Sequence, residues 1–333
     1  MTYTWTYLQE NPREAKRLIG ISYQNLMELM EMAKSLDKKH REKVEQQKTR
    51  LIQAGGGAKP KLSVEDQIVL TLIYLRQSLT FQVLGLLFQV SESTANNIFN
   101  YWLKILEDGL PPSLIEQVRK NEENEAKLSE ILTEYELIVD SAEQEIPRPK
   151  DYQEQKKFYS GKKKNHTLKN QLIVLPHGAD IVDLSAGKRG PESDINLWRE
   201  QQDVFSQEQK FSGDKAYVGE AQIKTPIKKP KKGELTAQQK EENKQFSSLR
   251  VCVEHVIRTV KTFRSAGDKF RLNINKYESV ISLVCGLVRL RIGALILDVL
   301  KFDDSTSEMI INQLHLWSDL LTENECNLDF SSL

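Results

Sequence analysis

Two apolar stretches set back to back, "HTLKNQLIVL" at 166–175 and "GADIVDLSAG" at 178–187, narrow the choices for this chain more than any other feature. Each runs for a strand's length, and Pro176 and Gly178 interrupt any helix between them. Strands joined this closely pair as a hairpin, and a hairpin is stable in water only as part of a larger sheet with a covered face. Two further apolar runs supply partners: "LIVD" at 137–140, a short strand ending in an acid, and "QKFSGDKAYVG" at 209–219, a strand ending at Gly213-Asp214. A helix from about Asp194, "DINLWREQQ", falls between strands, and a long apolar helix is predicted from Tyr277 to Leu300. Strands interleaved with helices imply an α/β core of three layers built on a mixed sheet.

The first third of the chain follows a different pattern. "YQNLMELMEMAKSLDKKHREKVEQQKTRLI", opening at Tyr23, is helical by period, with Leu26, Met27, Met30 and Met32 or Ala33 near one face. A Gly/Pro/Lys loop at Ala54–Ser63 ends it. Ser63 and Asp66 form a capping-box pattern that starts a helix from Val64 to about Arg76. A short helix from about Thr80 to Phe88 and a third from Glu92 to about Leu106 follow. The third turns Thr94, Asn96, Asn97 and Asn100 outward and keeps Ala95, Ile98, Phe99 and Trp102 for packing. This is the pattern of a helix-turn-helix, whose last helix can reach base edges in a major groove. A three-helix packing module without a ligand fits the same residues equally well.

Hydrophobic residues at 39% and charged residues at 28% belong to a soluble folded protein, and 333 residues suggest two domains or one decorated domain. The longest apolar run, Val280–Leu300, contains Arg289 and Arg291, so it reads as a core helix and not a membrane span. Cys252, Cys285 and Cys326 lie far apart without metal-ligand or disulfide spacing, and a reducing cytoplasm is the expected compartment. The formal net charge is zero, but the charges are segregated. Residues 148–169 hold eight basic side chains against two acidic ones, Lys224, Lys228, Lys229, Lys231 and Lys232 add five more, and 302–333 hold seven acids and no Lys or Arg. Local basic patches bind polyanions whatever the total charge.

The segment "SLRVCVEHVIRTVKTF", Ser248–Phe263, is a helix with two faces: Cys252, Val253, Val256, Ile257, Val260 and Phe263 on one, Arg250, Glu254, Arg258 and Lys261 on the other. By itself such a charged stripe is ordinary solvated surface, and Asp140 and Asp214, each at a strand end, are by themselves ordinary turn formers. Together they suggest more, because ligands bind beyond the carboxyl ends of strands in open α/β sheets. Three carboxylates converging there are hard oxygen donors suited to Mg²⁺ or Mn²⁺. Two such ions about 3.5–4 Å apart can promote phosphodiester chemistry.

These residues resemble the DDE transposases of bacterial insertion sequences, in the insertion-sequence 4 and 5 superfamily. That family's third-acid signature is Tyr, two residues, Arg, three residues, Glu, six residues, Lys; Arg250, Glu254 and Lys261 fit it, with Ser247 at the tyrosine position. "VDSAEQEIPRP" looks like the first-aspartate strand, "YSGKKKNHTLKNQ" like the segment that follows it, and "GDKAYVG" like the second-aspartate motif, with Ala216 replacing a usual glycine. "GPESD" keeps Asp194 where many relatives have His-Asp, with Ser193 at the histidine position. The resemblance implies an RNase H-like catalytic domain behind an N-terminal all-α helix-turn-helix domain. It implies Asp140, Asp214 and Glu254 as catalytic metal ligands for Mg²⁺ or Mn²⁺, with two ions expected. It also implies Arg250 and Lys261 on phosphate or terminal-end DNA. From the basic patches, Lys162, Lys163 and Lys164, with the lysines of the Lys224–Lys232 stretch, are expected to track DNA backbone, and from the helix-turn-helix Thr94, Asn96, Asn97 and Asn100 are expected to read bases.

The expected division is a helical DNA-binding domain at 1–110, with the helix-turn-helix at about 62–106, a linker helix at 111–135, a catalytic domain at 136–300 and an acidic tail at 301–333. The expected partner is double-stranded DNA, element ends and target, bound by a homodimer. Two rivals share parts of this reading. A metal-dependent nuclease that cuts without joining would use the same acids, and a catalytically dead DNA-binding protein would use residues 62–106 alone.

Overall fold

The computed structural model describes residues 3–47, 59–119, 122–230 and 233–294. The first half of the Gly/Pro loop, Lys231 and Lys232, the end of the Tyr277–Leu300 helix and the acidic tail lie outside the described residues. The N-terminal region is six helices: α1 (Tyr3–Glu10), α2 (Ala15–Ile19), α3 (Tyr23–Gln46), α4 (Val64–Gln77), α5 (Phe81–Phe88) and α6 (Glu92–Gly109). Two short helices, α7 (Leu114–Val118) and α8 (Glu122–Leu132), lead into the mixed part. That part comprises β1 (Glu136–Glu145), α9 (Tyr152–Phe158), β2 (Tyr159–Ser160), β3 (Asn165–Val174), β4 (Ile181–Arg189), α10 (Asp194–Gln201), β5 (Lys210–Ser212), β6 (Ile223–Lys224), α11 (Ala237–Thr262), α12 (Arg264–Gly267) and α13 (Tyr277–Arg291).

Local chemistry starts and stops the N-terminal helices. Ser22, Ser63, Thr80 and Ser91 each cap a helix by accepting from the backbone N–H three residues on. Ser78 and Gln89 take left-handed conformations, φ 52° and 55°, and so close α4 and α5. The α5–α6 turn is tight enough that a Cβ on Gly85 would lie 2.7 Å from the Val90 carbonyl oxygen. Between the caps, α4 is buried from Asp66 to Leu75 and is the central helix of its region. Its polar residues are satisfied there: Trp102 Nε1 donates to Gln67 Oε1 at 2.9 Å, and Gln67 Nε2 donates to the Leu62 carbonyl at 3.0 Å. On α3 the core face is Leu26, Leu29, Met30 and Ala33; Met27, expected there, is 38% exposed.

The sheet runs β4-β3-β1-β5-β6, with β2 extending the β3 edge. β1 is antiparallel to β3 and β3 to β4, whereas β1 and β5, and β5 and β6, are parallel. Numbered by order of appearance, the five main strands lie 3-2-1-4-5, the RNase H-like arrangement. Side-chain alternation along β1 divides two cores. Ile138 and Ile146 join α11, α13 and the N-terminal helices in one apolar cluster, while Leu137 and Val139 join Leu128, Leu132, Trp198 and Phe211 in the other. The 114–132 segment therefore packs on the sheet's far face, and the N-terminal helices share a core with α11–α13.

Two elements run longer than the sequence suggests. β1 continues five residues past Asp140, because Ser141 to Glu145 pair in register with Gln171 to Thr167 on the long neighbour β3. Backbone pairing carries the strand past its apolar run, so Asp140 stands mid-strand. α11 begins at Ala237, well before the helix predicted from Ser248, because Thr236 and Gln239 form a reciprocal capping box and the following Gln, Lys and Glu residues favour helix.

Candidate active site

Period-2 alternation decides which way Asp140 points. It shares the face of Ile138 and Ala142, toward α11, while Ser141 projects through the opposite face. Asp214 comes from the neighbouring strand. β1 and β5 are parallel with Ile138 opposite Ser212, the last pair of their ladder; Asp140 stands two residues further along β1, and Asp214 two residues past the end of β5. Adjacent strands lie about 4.8 Å apart. β5 ends at Ser212, and Asp214 caps a short 3-10 turn in which its carboxylate accepts from Ala216 N at 2.7 Å.

α11 packs across β1 and brings the third group. Glu254 is exposed on it, one turn after Arg250, whose guanidinium stands 3.6 Å from the Asp140 carboxylate. Arg250 is 16% exposed, and its buried Nε–H has no hydrogen-bond partner. Burial raises the Asp140 pKa to about 6; the Ser141 backbone N–H and Arg250 pull it down, and the negative charges of Asp214 and Glu254 push it up. The Asp140 carboxylate thus feels both of the other two. Mg²⁺ and Mn²⁺ prefer such all-oxygen donors, and the acids fit a divalent cation by charge and chemistry. Among the described residues, however, no three of these groups stand close enough together to hold an ion, and Arg250 is the cation beside Asp140.

A pH prediction follows from the raised pKa. An acid whose folded pKa lies above its unfolded value contributes stability that is complete below the unfolded value and is lost as pH rises through the folded one. For Asp140 that loss spans the interval from the ordinary value of 3.8 to about 6. Asp140→Asn, which mimics the neutral acid, is expected to raise the thermal midpoint at about pH 8 and leave it unchanged at about pH 3. An equal effect at both would contradict the assigned environment.

Basic residues form the wall beside the acids. Lys261 lies two turns beyond Glu254 on α11; its pKa is pushed down by desolvation and by Lys163 and held up by Asp140, although the residue as a whole is exposed. Lys162, Lys163 and Lys164 are exposed in the turn between β2 and β3. Lys163 and Lys261 share a groove of about 600 Å³ with Arg264 and Lys269, two cations that motif spacing does not single out. The groove carries acids too, and one of them, Asp268, holds Arg264 at 2.8 Å. Arg264 also lines an adjoining groove of about 450 Å³ with Arg17 and Arg76 of the N-terminal region. This basic path needs the fold, since its members are far apart in the chain.

On α6, Thr94 and Asn97 are exposed, whereas Asn96 and Asn100 are half-buried. Asn100, expected to point outward, donates to Asn96 Oδ1 at 2.7 Å and accepts from the ammonium of Lys276. It is turned inward because the short turn before α13 packs against that side of α6, a long-range contact with no trace in helical periodicity. Thr94 Oγ1 lies 2.8 Å from the capping Ser91 hydroxyl and remains at the helix's open end.

Comparison with known proteins agrees with both halves. Residues 139–289 match the family model described as DDE superfamily endonuclease, and residues 60–112 match helix-turn-helix of DDE superfamily endonuclease. A probable transposase for insertion sequence element IS702 from Microchaete diplosiphon is 32% identical over 288 residues, 84% of this chain and 94% of that protein. The crystal structure of a pre-cleavage Mos1 transpososome matches at 12% identity over 83% of this chain and 86% of that one, with a TM-score of 0.19, too slight a likeness to carry an argument.

Proposed function

The chain belongs to the DDE superfamily of insertion-sequence transposases, and from that premise we propose that it binds the ends of its own element, hydrolyses a phosphodiester there and transfers the freed 3′-hydroxyl to target DNA. The observation that supports this most is Asp140 on β1 and Asp214 just past the end of the parallel neighbour β5, with Arg250 of α11 3.6 Å from Asp140 and Glu254 one turn further along that helix. Asp140, Asp214 and Glu254 would hold Mg²⁺ or Mn²⁺, two ions being expected. When bound, such ions supply Lewis acidity, lowering the pKa of the attacking water and offsetting charge on the leaving oxygen. Arg250, with a buried N–H unused, would donate to a phosphate oxygen once it leaves Asp140. Lys163 and Lys261, extended by Arg264 and Lys269, would track the backbone, and Lys162 and Lys164 flank that track.

Base reading falls to the exposed start of α6, with Thr94 and Asn97 foremost and Asn96 behind them; Asn100 would take part only after exchanging Lys276 for DNA. Asn97→Ala is expected to cost about 1–3 kcal/mol in binding to end DNA and little in binding to random duplex. Lys163→Ala should weaken both alike and reduce the salt slope by about one. Gel shifts at several salt concentrations read both effects, and an unchanged specificity ratio for Asn97→Ala would remove α6 as the reader.

The helical unit would end near residue 110 and the catalytic unit begin by residue 136. Cutting two ends together calls for a homodimer on DNA, which sizing of the protein–end complex tests. The chemistry is tested with a labelled duplex carrying the element ends: Mg²⁺-dependent nicking that leaves a 3′-hydroxyl, followed by joining to a second duplex, is expected. Nicking without joining would leave a nuclease, and gel shift without nicking a DNA-binding protein.

A further inference from the structure

A buried polar group lies behind the acids, on the sheet face that Asp140 does not use. Ser141 projects onto that face, and Gln171 is its direct partner across the β1–β3 ladder. Tyr217, three residues after Asp214, inserts its ring beneath them. Gln171 and Tyr217 are both 0% exposed. Gln171 Nε2 donates to Tyr217 Oη at 2.8 Å and to the Asp194 carbonyl at 3.0 Å, and lies 3.3 Å from Ser141 Oγ. Because the Asp194 carbonyl accepts only, it fixes which end of the Gln171 amide is the nitrogen. Tyr217 Oη therefore accepts from Gln171, which leaves its own proton for Ser141 Oγ at 3.1 Å.

This group sits among Val139, Ile173, Trp198 and Phe211, where an apolar filling would pack without unsatisfied atoms. As built, it leaves Gln171 Oε1 buried with no hydrogen-bond partner. Gly213 is shaped to admit it: a Cβ there would lie 2.8 Å from the Tyr217 ring. What the arrangement does is join the two aspartate motifs. The β1–β5 ladder reaches only Ile138 and Ser212, and Asp214 is held by its own turn, through Ala216 N and Tyr217 N. Tyr217 is the residue of that turn whose side chain is fastened to β1.

We propose that Tyr217, through Ser141 and Gln171, is a positioning residue that sets the Asp214 turn against β1 from the reverse side of the sheet and so fixes the spacing of the two aspartates. The proposal rests on the metal-site reading above. Tyr217→Phe keeps the ring and removes only the strut. Mn²⁺ titrated into the full chain without DNA and followed by electron paramagnetic resonance is expected to show an affinity about tenfold weaker than in the parent protein, the low end for a residue supporting a metal ligand. The thermal midpoint should stay close to the parent value, and DNA nicking should recover at saturating Mn²⁺. Ser141→Ala should weaken Mn²⁺ in the same direction, and the double variant should be weaker by less than the sum, because both changes cut one link.

Parent-like Mn²⁺ affinity in Tyr217→Phe overturns the proposal. Should that variant fail to fold, parent-like affinity in Ser141→Ala, at a half-exposed position, overturns it instead. Asp140→Asn and Asp214→Asn separate the two readings. If neither changes Mn²⁺ binding, the metal site itself is wrong; if both do and Tyr217→Phe does not, only the strut is wrong.

Discussion

Asp140→Asn is expected to reduce Mg²⁺-dependent nicking of end-bearing DNA by about a thousandfold or more while leaving gel-shift affinity for the same duplex nearly unchanged. The substitution keeps the side chain's size and its contact with Ser141 N but removes the charge that faces Arg250. On the proposed function, cation binding would lose one of its anionic donors, whereas the residues proposed to hold DNA on α6 and in the basic groove would be untouched. Glu254→Gln should act in the same way, since Glu254 is exposed on α11 and the change disturbs no packing. The protonation of Asp140 adds an acid limb to activity: with its pKa at about 6, cation binding and nicking should fall as pH drops through that value. Nicking at the parent rate in both variants would remove the acids from the chemistry and leave the helix-turn-helix as the functional part.

Arg289→Met is expected to destabilise the fold by about 3–5 kcal/mol, measured by urea unfolding, the usual cost of removing one partner of a buried ion pair. Arg289 is 0% exposed, and its guanidinium meets both carboxylate oxygens of Asp180, at 2.6 and 2.8 Å. It also donates to the carbonyls of Pro111 and Ser113 and to Gln117 Oε1. One side chain thus ties α13 to the start of β4 and to the segment leaving the N-terminal helices. With Arg289 gone, the buried Asp180 carboxylate keeps only the Ile181 N–H and loses its counter-charge, while the Ser113 carbonyl keeps Gln117 N. Adding Asp180→Asn to Arg289→Met should restore part of the loss, because the remaining penalty is largely that of an unpaired buried charge. A loss below about 1 kcal/mol would mean water reaches the site.

The helix-turn-helix and the hairpin were legible because they are local. Ser63, Thr80 and Ser91 announce their helices by type and position, and β3 and β4 announce themselves by apolar runs on either side of Pro176 and Gly178. The acids were picked out as candidates by their resemblance to family motifs, and their strands were legible, but the true extent of β1 was hidden, because Ser141 to Glu145 are mostly polar and are held by pairing. Asn100 was misjudged for the opposite reason: its position on the helix is right for solvent, and only a distant lysine, Lys276, takes it inward.

By itself the sequence determined most of the longer helices and strands, that the chain carries a helix-turn-helix and a mixed sheet, and which three acids are candidates for one site. These depend on periodicity, caps and turn residues, whose energies act within a few positions along the chain. Tertiary structure decided the pairing of β1 with the parallel strand that leads to Asp214, the approach of Arg250 to Asp140, the joining of Lys163, Arg264 and Arg17 into adjoining grooves, and the partners of Arg289 and Tyr217. Strand register and burial settle these, and both arise from contacts between residues tens to hundreds of positions apart, which no local pattern records.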